Sequence, residues 1–144
     1  SQVANVEFIT FNNTYLFIIA ALLSGAVLAV QYSRAGKGLS PAQTVSMTNS
    51  KALIIDIRDS EQYQAGTIAN AIHIPMDQLK ARAATLAKDK AVVVIDQDGR
   101  RAPAAANLLK KEGIEDVHYL SGGLVSWLKE NLPLKKPTGA KKLK

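Results

Sequence analysis

Between Glu7 and Arg34 the chain runs for 26 residues without a charged side chain, and the centre of that run is "YLFIIAALLSGAVLAVQY" (Tyr15–Tyr32). A stretch this long and this apolar predicts a membrane-crossing helix over residues 14–32. Aromatic residues flank it as an interfacial belt would, with Phe8, Phe11, Tyr15 and Phe17 at one edge and Tyr32 at the other. A cleavable leader would open with basic residues, whereas Glu7 is the only charged side chain ahead of this run. Arg34 and Lys37 follow directly, so the positive-inside bias puts the N-terminus outside and the remainder in the cytoplasm. The expectation is a single-pass protein of the bacterial inner membrane. Within the span Ala21, Gly25 and Ala29 recur every four residues, a small-residue stripe against which another helix could pack.

The pattern then changes. Residues 34–38 read as a short flexible linker, and "LSPAQT" offers Ser40 as N-cap and Pro41 as the first helical residue of a helix reaching about Met47. "ALIIDI" (Ala52–Ile57) and "AVVVI" (Ala91–Ile95) are unbroken apolar runs, as strands covered on both faces would be. Between and after them come a one- or two-turn helix capped by Ser60 and stopped at Gly66, a short strand over Asn70–Pro75, and a helix over Asp77–Lys88. A helix over Arg101–Glu112 ends at Gly113, then come a strand over Asp116–Leu120 and a helix over Gly123–Asn131. Strands alternating with helices predict an α/β domain over residues 39–133. It has a mainly parallel sheet, right-handed crossovers and helices on both faces. Residues 134–144 read as a structureless basic tail.

Charge and cysteine usage remove several function classes. The formal charge is +6, yet residues 39–132 hold eleven acids and eleven bases. The excess sits in Arg34, Lys37 and the tail lysines 135, 136, 141, 142 and 144. A nucleic-acid-binding domain would carry that charge on the fold itself, so no specific nucleic-acid recognition is expected. The chain has no cysteine, hence no disulfide, thiolate metal site or cysteine nucleophile. His73 and His118 lie too far apart in sequence to start a metal cluster, and neither a metal nor another cofactor is expected.

The candidate chemistry lies in "VVVIDQDGRR", where a strand delivers Asp96, Gln97, Asp98, Gly99, Arg100 and Arg101. Two aspartates one residue apart before a glycine suggest the DxDG loop of haloacid-dehalogenase-like phosphotransferases, with the first aspartate as nucleophile. That likeness covers four or five residues, and only 46 residues follow Asp98 to supply the rest of such a site. A calcium loop would need a bidentate acid where Asn107 stands, and a helix before it instead of a strand.

The surrounding segments resemble a different family. "ALIIDIRDSEQYQAGTIANAIHIP" (Ala52–Pro75) is similar to the first signature of the rhodanese superfamily, an apolar strand ending Asp-x-Arg followed by an acidic helix and G-H-I-x-x-A-x-x-I-P. "VHYLSGGLVSW" (Val117–Trp127) resembles its second signature. The two stand in order and register across roughly residues 39–133. The resemblance implies a rhodanese-like fold in which Asp56 and Arg58 tie loops together, Gly122 and Gly123 make the turn into the last helix, and Trp127 packs it down.

It also implies what the aspartates replace. In that family the corresponding strand delivers a cysteine at the head of a C-x-x-G-x-R loop, whose backbone N–H groups cradle an anion and whose thiolate accepts sulfur. The cysteine falls on Asp96, the glycine on Gly99 and the arginine on Arg101, while Thr67 stands where G-H-I has histidine. Each carboxylate is expected to take up loop N–H donors internally and to pair with Arg100 or Arg101, repelling thiosulfate-like substrates. The expectation is a catalytically inactive sulfurtransferase homologue with no catalytic residue. It would act as a binding or accessory module in or beside a membrane protein complex, with bilayer contact through residues 14–32 and a partner the sequence does not name. Two other readings stay open: an enzyme using Asp96 for phosphoryl or metal-dependent chemistry, and a residual binder of anions or sulfur species. The basic tail could touch anionic lipid or RNA.

Overall fold

The computed structural model describes residues 13–25 and 37–137. These belong to two units, one ending at Arg34 and one beginning at Ala35.

In the first unit the backbone is helical over residues 13–25. The large apolar side chains from Tyr15 to Leu23 are exposed, Phe17 most of all at 76%. No helix among the described residues is long and apolar enough to cross a membrane, and residues 26–32 of the predicted span lie outside them. Ala21 and Gly25 of the small-residue stripe are on this helix, with open space around the Gly25 Cα. Ala29 lies outside the described residues, as do Arg34 and residues 138–144.

The second unit is built on five strands, β1 (Lys37–Leu39), β2 (Leu53–Asp56), β3 (Ile72–His73), β4 (Val92–Ile95) and β5 (Val117–Leu120). They form one sheet of order β1-β5-β4-β2-β3, parallel at every pairing. The central strand β4 is buried along its whole length, which its four β-branched apolar residues predict. The helices are α1 (Pro41–Asn49), α2 (Ser60–Ala65), α3 (Leu79–Ala83), α4 (Ala102–Lys111) and α5 (Gly123–Lys129). One face of the sheet packs Leu79 and Ala83 of α3 and the alanine face of α4 against Ile55, Val92, Val94 and Val117. The other packs Leu124 and Trp127 of α5, with Val45 and Met47 of α1, against Ile54, Val93, Ile95 and Leu120. Each fully buried valine, leucine or isoleucine contributes about 1.5–3 kcal/mol of transfer free energy, so β4 and its two apolar coats supply much of the drive to fold.

Several predicted boundaries move for identifiable reasons. The end of the predicted linker is strand β1, whose Lys37, Gly38 and Leu39 pair with His118, Tyr119 and Leu120. A three-residue edge strand has no room to show an alternating pattern, and its Gly38 lies close against the Tyr119 ring, 3.1 Å from where a Cβ would stand. The cap of α2 is Asp59, whose carboxylate accepts from the Gln62 N–H at 2.9 Å, and Ser60 is the first helical residue. The strand predicted over Asn70–Pro75 contracts to Ile72–His73. The helix predicted over Asp77–Lys88 is a 3-10 turn at Met76–Gln78 followed by α3, closed by i→i+3 hydrogen bonds from Thr85 to Arg82 and from Leu86 to Ala83.

The predicted structureless tail begins instead as a strap. The Thr67 and Lys135 backbones donate to each other at 2.8 and 2.7 Å, Trp127 Nε1 donates to the Pro133 carbonyl at 2.9 Å, and Leu134 joins the apolar layer beneath α5. Composition pointed to solvent, but Leu132 and Leu134 are apolar residues two apart, the spacing of one face of an extended chain.

Candidate functional site

Connections leave β2 and β4 in opposite directions across the sheet, so the crevice beyond their carboxyl ends is the topological switch point of the fold. β2 ends on Asp56 and β4 is followed directly by Asp96, both buried.

Asp96 is 2% exposed, and its carboxylate organises the loop that follows. Oδ1 accepts the Gly99 N–H at 2.8 Å, and Oδ2 accepts the N–H groups of Arg101 and Ala102, each at 2.9 Å. The last two donors open helix α4, whose partial positive end favours a carboxylate there. Asp98 points the other way. It is half exposed, takes the Arg100 N–H at 3.1 Å and meets Arg100 Nε at 3.6 Å. The sequence predicted an arginine partner for each carboxylate; Asp98 has one in Arg100, and Asp96 is held by backbone N–H groups instead. The reason is spatial: Arg101 caps α4 with its backbone while its side chain lies on the exposed surface.

The loop rests on the turn before α5. Leu124 N–H donates to the Asp96 carbonyl at 2.9 Å and Val125 N–H to the Gln97 carbonyl at 3.0 Å, so the first turn of α5 satisfies the end of the strand. Contact this close needs two glycines. Gly99 has φ +87°, and a Cβ on it would stand 2.7 Å from the Gly122 nitrogen. Gly123 has φ +62°, and a Cβ there would stand 2.6 Å from the Asp98 nitrogen and 2.7 Å from Asp96 Oδ1. In sequence Gly122 and Gly123 mark only the turn into the helix; in the structure Gly122 lies against Gly99 and Gly123 against residues 96–98.

The other wall of the crevice is an ion pair. Arg58 Nη2 lies 2.8 Å from Asp56 Oδ2, its Nε reaches both carboxylate oxygens, and the two side chains are 6% and 0% exposed. Arg58 also donates to the Gly66 carbonyl and, through Nη1, to Gln97 Oε1 at 3.1 Å. Thr67 Oγ1 donates to Asp56 Oδ2 at 2.8 Å. The pair thus ties β2, the loop after α2 and the Asp96 loop together, the linking role expected of it. The His73 ring stacks on Tyr63 with centroids 4.3 Å apart, and its Nε2–H donates to the Arg58 carbonyl at 2.8 Å. Burial, with a smaller contribution from the Asp56 charge, raises the Tyr63 pKa above its usual value of 10. Gln97 and Thr67 carry no signal in sequence for these contacts, because both partners lie far along the chain.

The chemical consequence is specific. Three inward-pointing N–H groups at a helix start form an anion cradle, and the chain's own carboxylate fills it. Among the described residues no group of three histidine, aspartate or glutamate side chains is placed to hold a metal ion.

Comparisons with known proteins give the family of the α/β domain. A family model described as the rhodanese-like domain matches residues 40–130. The uncharacterized protein YqhL of Bacillus subtilis is 29% identical over 116 residues, 81% of this chain and 92% of that protein. Thiosulfate sulfurtransferase GlpE of Shewanella oneidensis is 33% identical over 96 residues, covering 66% of this chain and 95% of that one. The crystal structure of a rhodanese-related protein from Thermoplasma volcanium superimposes with a TM-score of 0.63 at 31% identity, covering 69% of this chain and 97% of that chain.

Proposed function

The chain belongs to the rhodanese-like domain family, and from that premise we propose that it is a catalytically silent member which binds and does not transfer sulfur. The observation that carries this reading is the Asp96 carboxylate. It stands at the position of the family's sulfur-accepting cysteine and takes the N–H groups of Gly99, Arg101 and Ala102 for itself. The chain has no cysteine to substitute. An incoming thiosulfate-like anion finds the donors occupied and meets a negative charge.

A phosphoryl-accepting role for Asp96 fares poorly on the same observation. A nucleophilic oxygen must reach its substrate, and this carboxylate is 2% exposed with both oxygens engaged.

The remainder of the proposal is a tether. Residues 14–32 hold the protein in a membrane, with the rhodanese-like domain on the cytoplasmic side as the accessory part of a membrane protein complex. Support comes from the uncharged run between Glu7 and Arg34 and from the exposed apolar side chains along helix 13–25. The test is purification of the full chain from its own membrane in mild detergent, followed by determination of the particle mass and composition. A defined complex retaining a membrane-protein partner is the expected result; extraction without detergent, or a bare monomer in detergent, overturns it.

A further inference from the structure

A cavity of about 350 Å³ opens between the segment leading into β3 and the C-terminal strap. None of residues 96–101 lines it, so it is separate from the loop described above. Its chemistry is one-sided. Lys135, Lys136 and Asn70 line it, and no acidic residue does. Among the described residues neither lysine has an ion-pair partner. Ile68 and Ala71 give it an apolar part, and the Tyr63 ring at its edge is fixed by stacking on His73 and by a hydrogen bond from its hydroxyl to the Ala71 carbonyl.

Two features show that the cavity is constructed by the fold. The strap that brings the lysines is held by the two-way backbone bridge between Lys135 and Thr67 and by Leu134 beneath it. Asn70 has φ +67°, the left-handed turn conformation that asparagine tolerates better than most side chains, and this sets the turn that lines the cavity. The volume is in the range of about 300–1,000 Å³ typical of small-molecule sites.

We propose that this cavity binds a small soluble organic anion, a phosphate, sulfonate or carboxylate carried on an apolar or aromatic body. The ammonium groups of Lys135 and Lys136 and the amide of Asn70 meet the charged end. Ile68, Ala71 and the Tyr63 ring meet the body. The inference stands whether or not the Asp96 loop is silent, because it draws on none of that loop's residues.

The probe is phenyl phosphate, titrated calorimetrically into the full chain in detergent at low salt. The expected result is saturable binding at one site, tighter than inorganic phosphate, with Kd raised at least about tenfold in Lys135→Ala/Lys136→Ala, from the loss of two ion-pairing groups. Lys110→Ala/Lys111→Ala makes the same charge change on α4 and leaves Kd within about twofold of wild type. Equal loss in both double variants reduces the effect to net charge and overturns the proposal, as does a titration that never saturates. Matching affinities for phenyl and inorganic phosphate overturn the apolar half.

Discussion

Replacing Asp96 by asparagine changes one oxygen to an amide group and tests what organises the loop. The carboxylate accepts from Gly99, Arg101 and Ala102 at 2.8–2.9 Å. In its better orientation asparagine keeps its oxygen toward Arg101 and Ala102 and turns its NH2 toward the Gly99 N–H, donor against donor. Hydrogen bonds to a charged acceptor contribute about 1.5–3 kcal/mol each, neutral ones about 0.5–1.5, and a stranded buried donor costs about 1–3. Two weakened bonds and one broken bond therefore cost about 3 kcal/mol. In a domain of this size that lowers the thermal midpoint by about 12–24 °C. Asp98→Asn, at a half-exposed side chain with one backbone bond, costs under about 1 kcal/mol and serves as the control. Urea unfolding followed by far-ultraviolet circular dichroism measures both. Equal midpoints for the two variants would refute the reasoning, since the buried carboxylate would then hold nothing together.

Other consequences follow from neighbouring contacts. Gly123→Ala forces a Cβ against Asp98 and Gln97 at 2.6 Å in a left-handed backbone conformation, so its urea midpoint falls by the equivalent of about 2–4 kcal/mol, whereas Ser121→Ala, at an exposed position beside it, leaves the midpoint nearly unchanged. Arg58→Ala leaves Asp56 buried without its cation and costs about 3–5 kcal/mol in the same assay; a loss under about 1 kcal/mol contradicts the linking role given to the pair. Because the folded-state pKa of Tyr63 is raised, its neutral form is the favoured one in the folded protein. The stability this contributes is fully present below the unfolded value of 10 and is lost as pH rises through the higher folded value. A phenolate absorbance titration compared with Tyr63→Phe shows this residue ionising above its usual value; ionisation at or below that value contradicts it.

The fold was legible because its signals are local. The apolar runs Ala52–Ile57 and Ala91–Ile95 contain the buried parallel strands β2 and β4, and the alanine-rich segment after Arg101 is a helix because every third or fourth residue can face the sheet. The loop was legible through its neighbours: without the two flanking signatures, "DQDG" reads as a nucleophile or a metal loop. Long-range pairings stayed hidden. Nothing near Lys37 says that it pairs with β5, nothing near Lys135 says that it bridges Thr67, and Gln97 gives no hint of Arg58. The glycines at 122 and 123 are visible as a turn, but the atoms that exclude a Cβ at Gly123 belong to residues 96–98, past the end of another strand.

The central claim, that Asp96 silences the loop by standing in for the sulfur acceptor, is tested most directly by assaying thiosulfate-to-cyanide sulfur transfer in the full chain and in Asp96→Cys. The account predicts that wild type yields thiocyanate at the rate of buffer alone. Asp96→Cys, with a thiolate in a cradle whose donors are free again, takes the sulfane sulfur of thiosulfate as a persulfide with release of sulfite, gaining the mass of one sulfur atom. Cyanide then removes that sulfur as thiocyanate and returns the thiolate. Turnover by the wild-type protein above the buffer rate would contradict it.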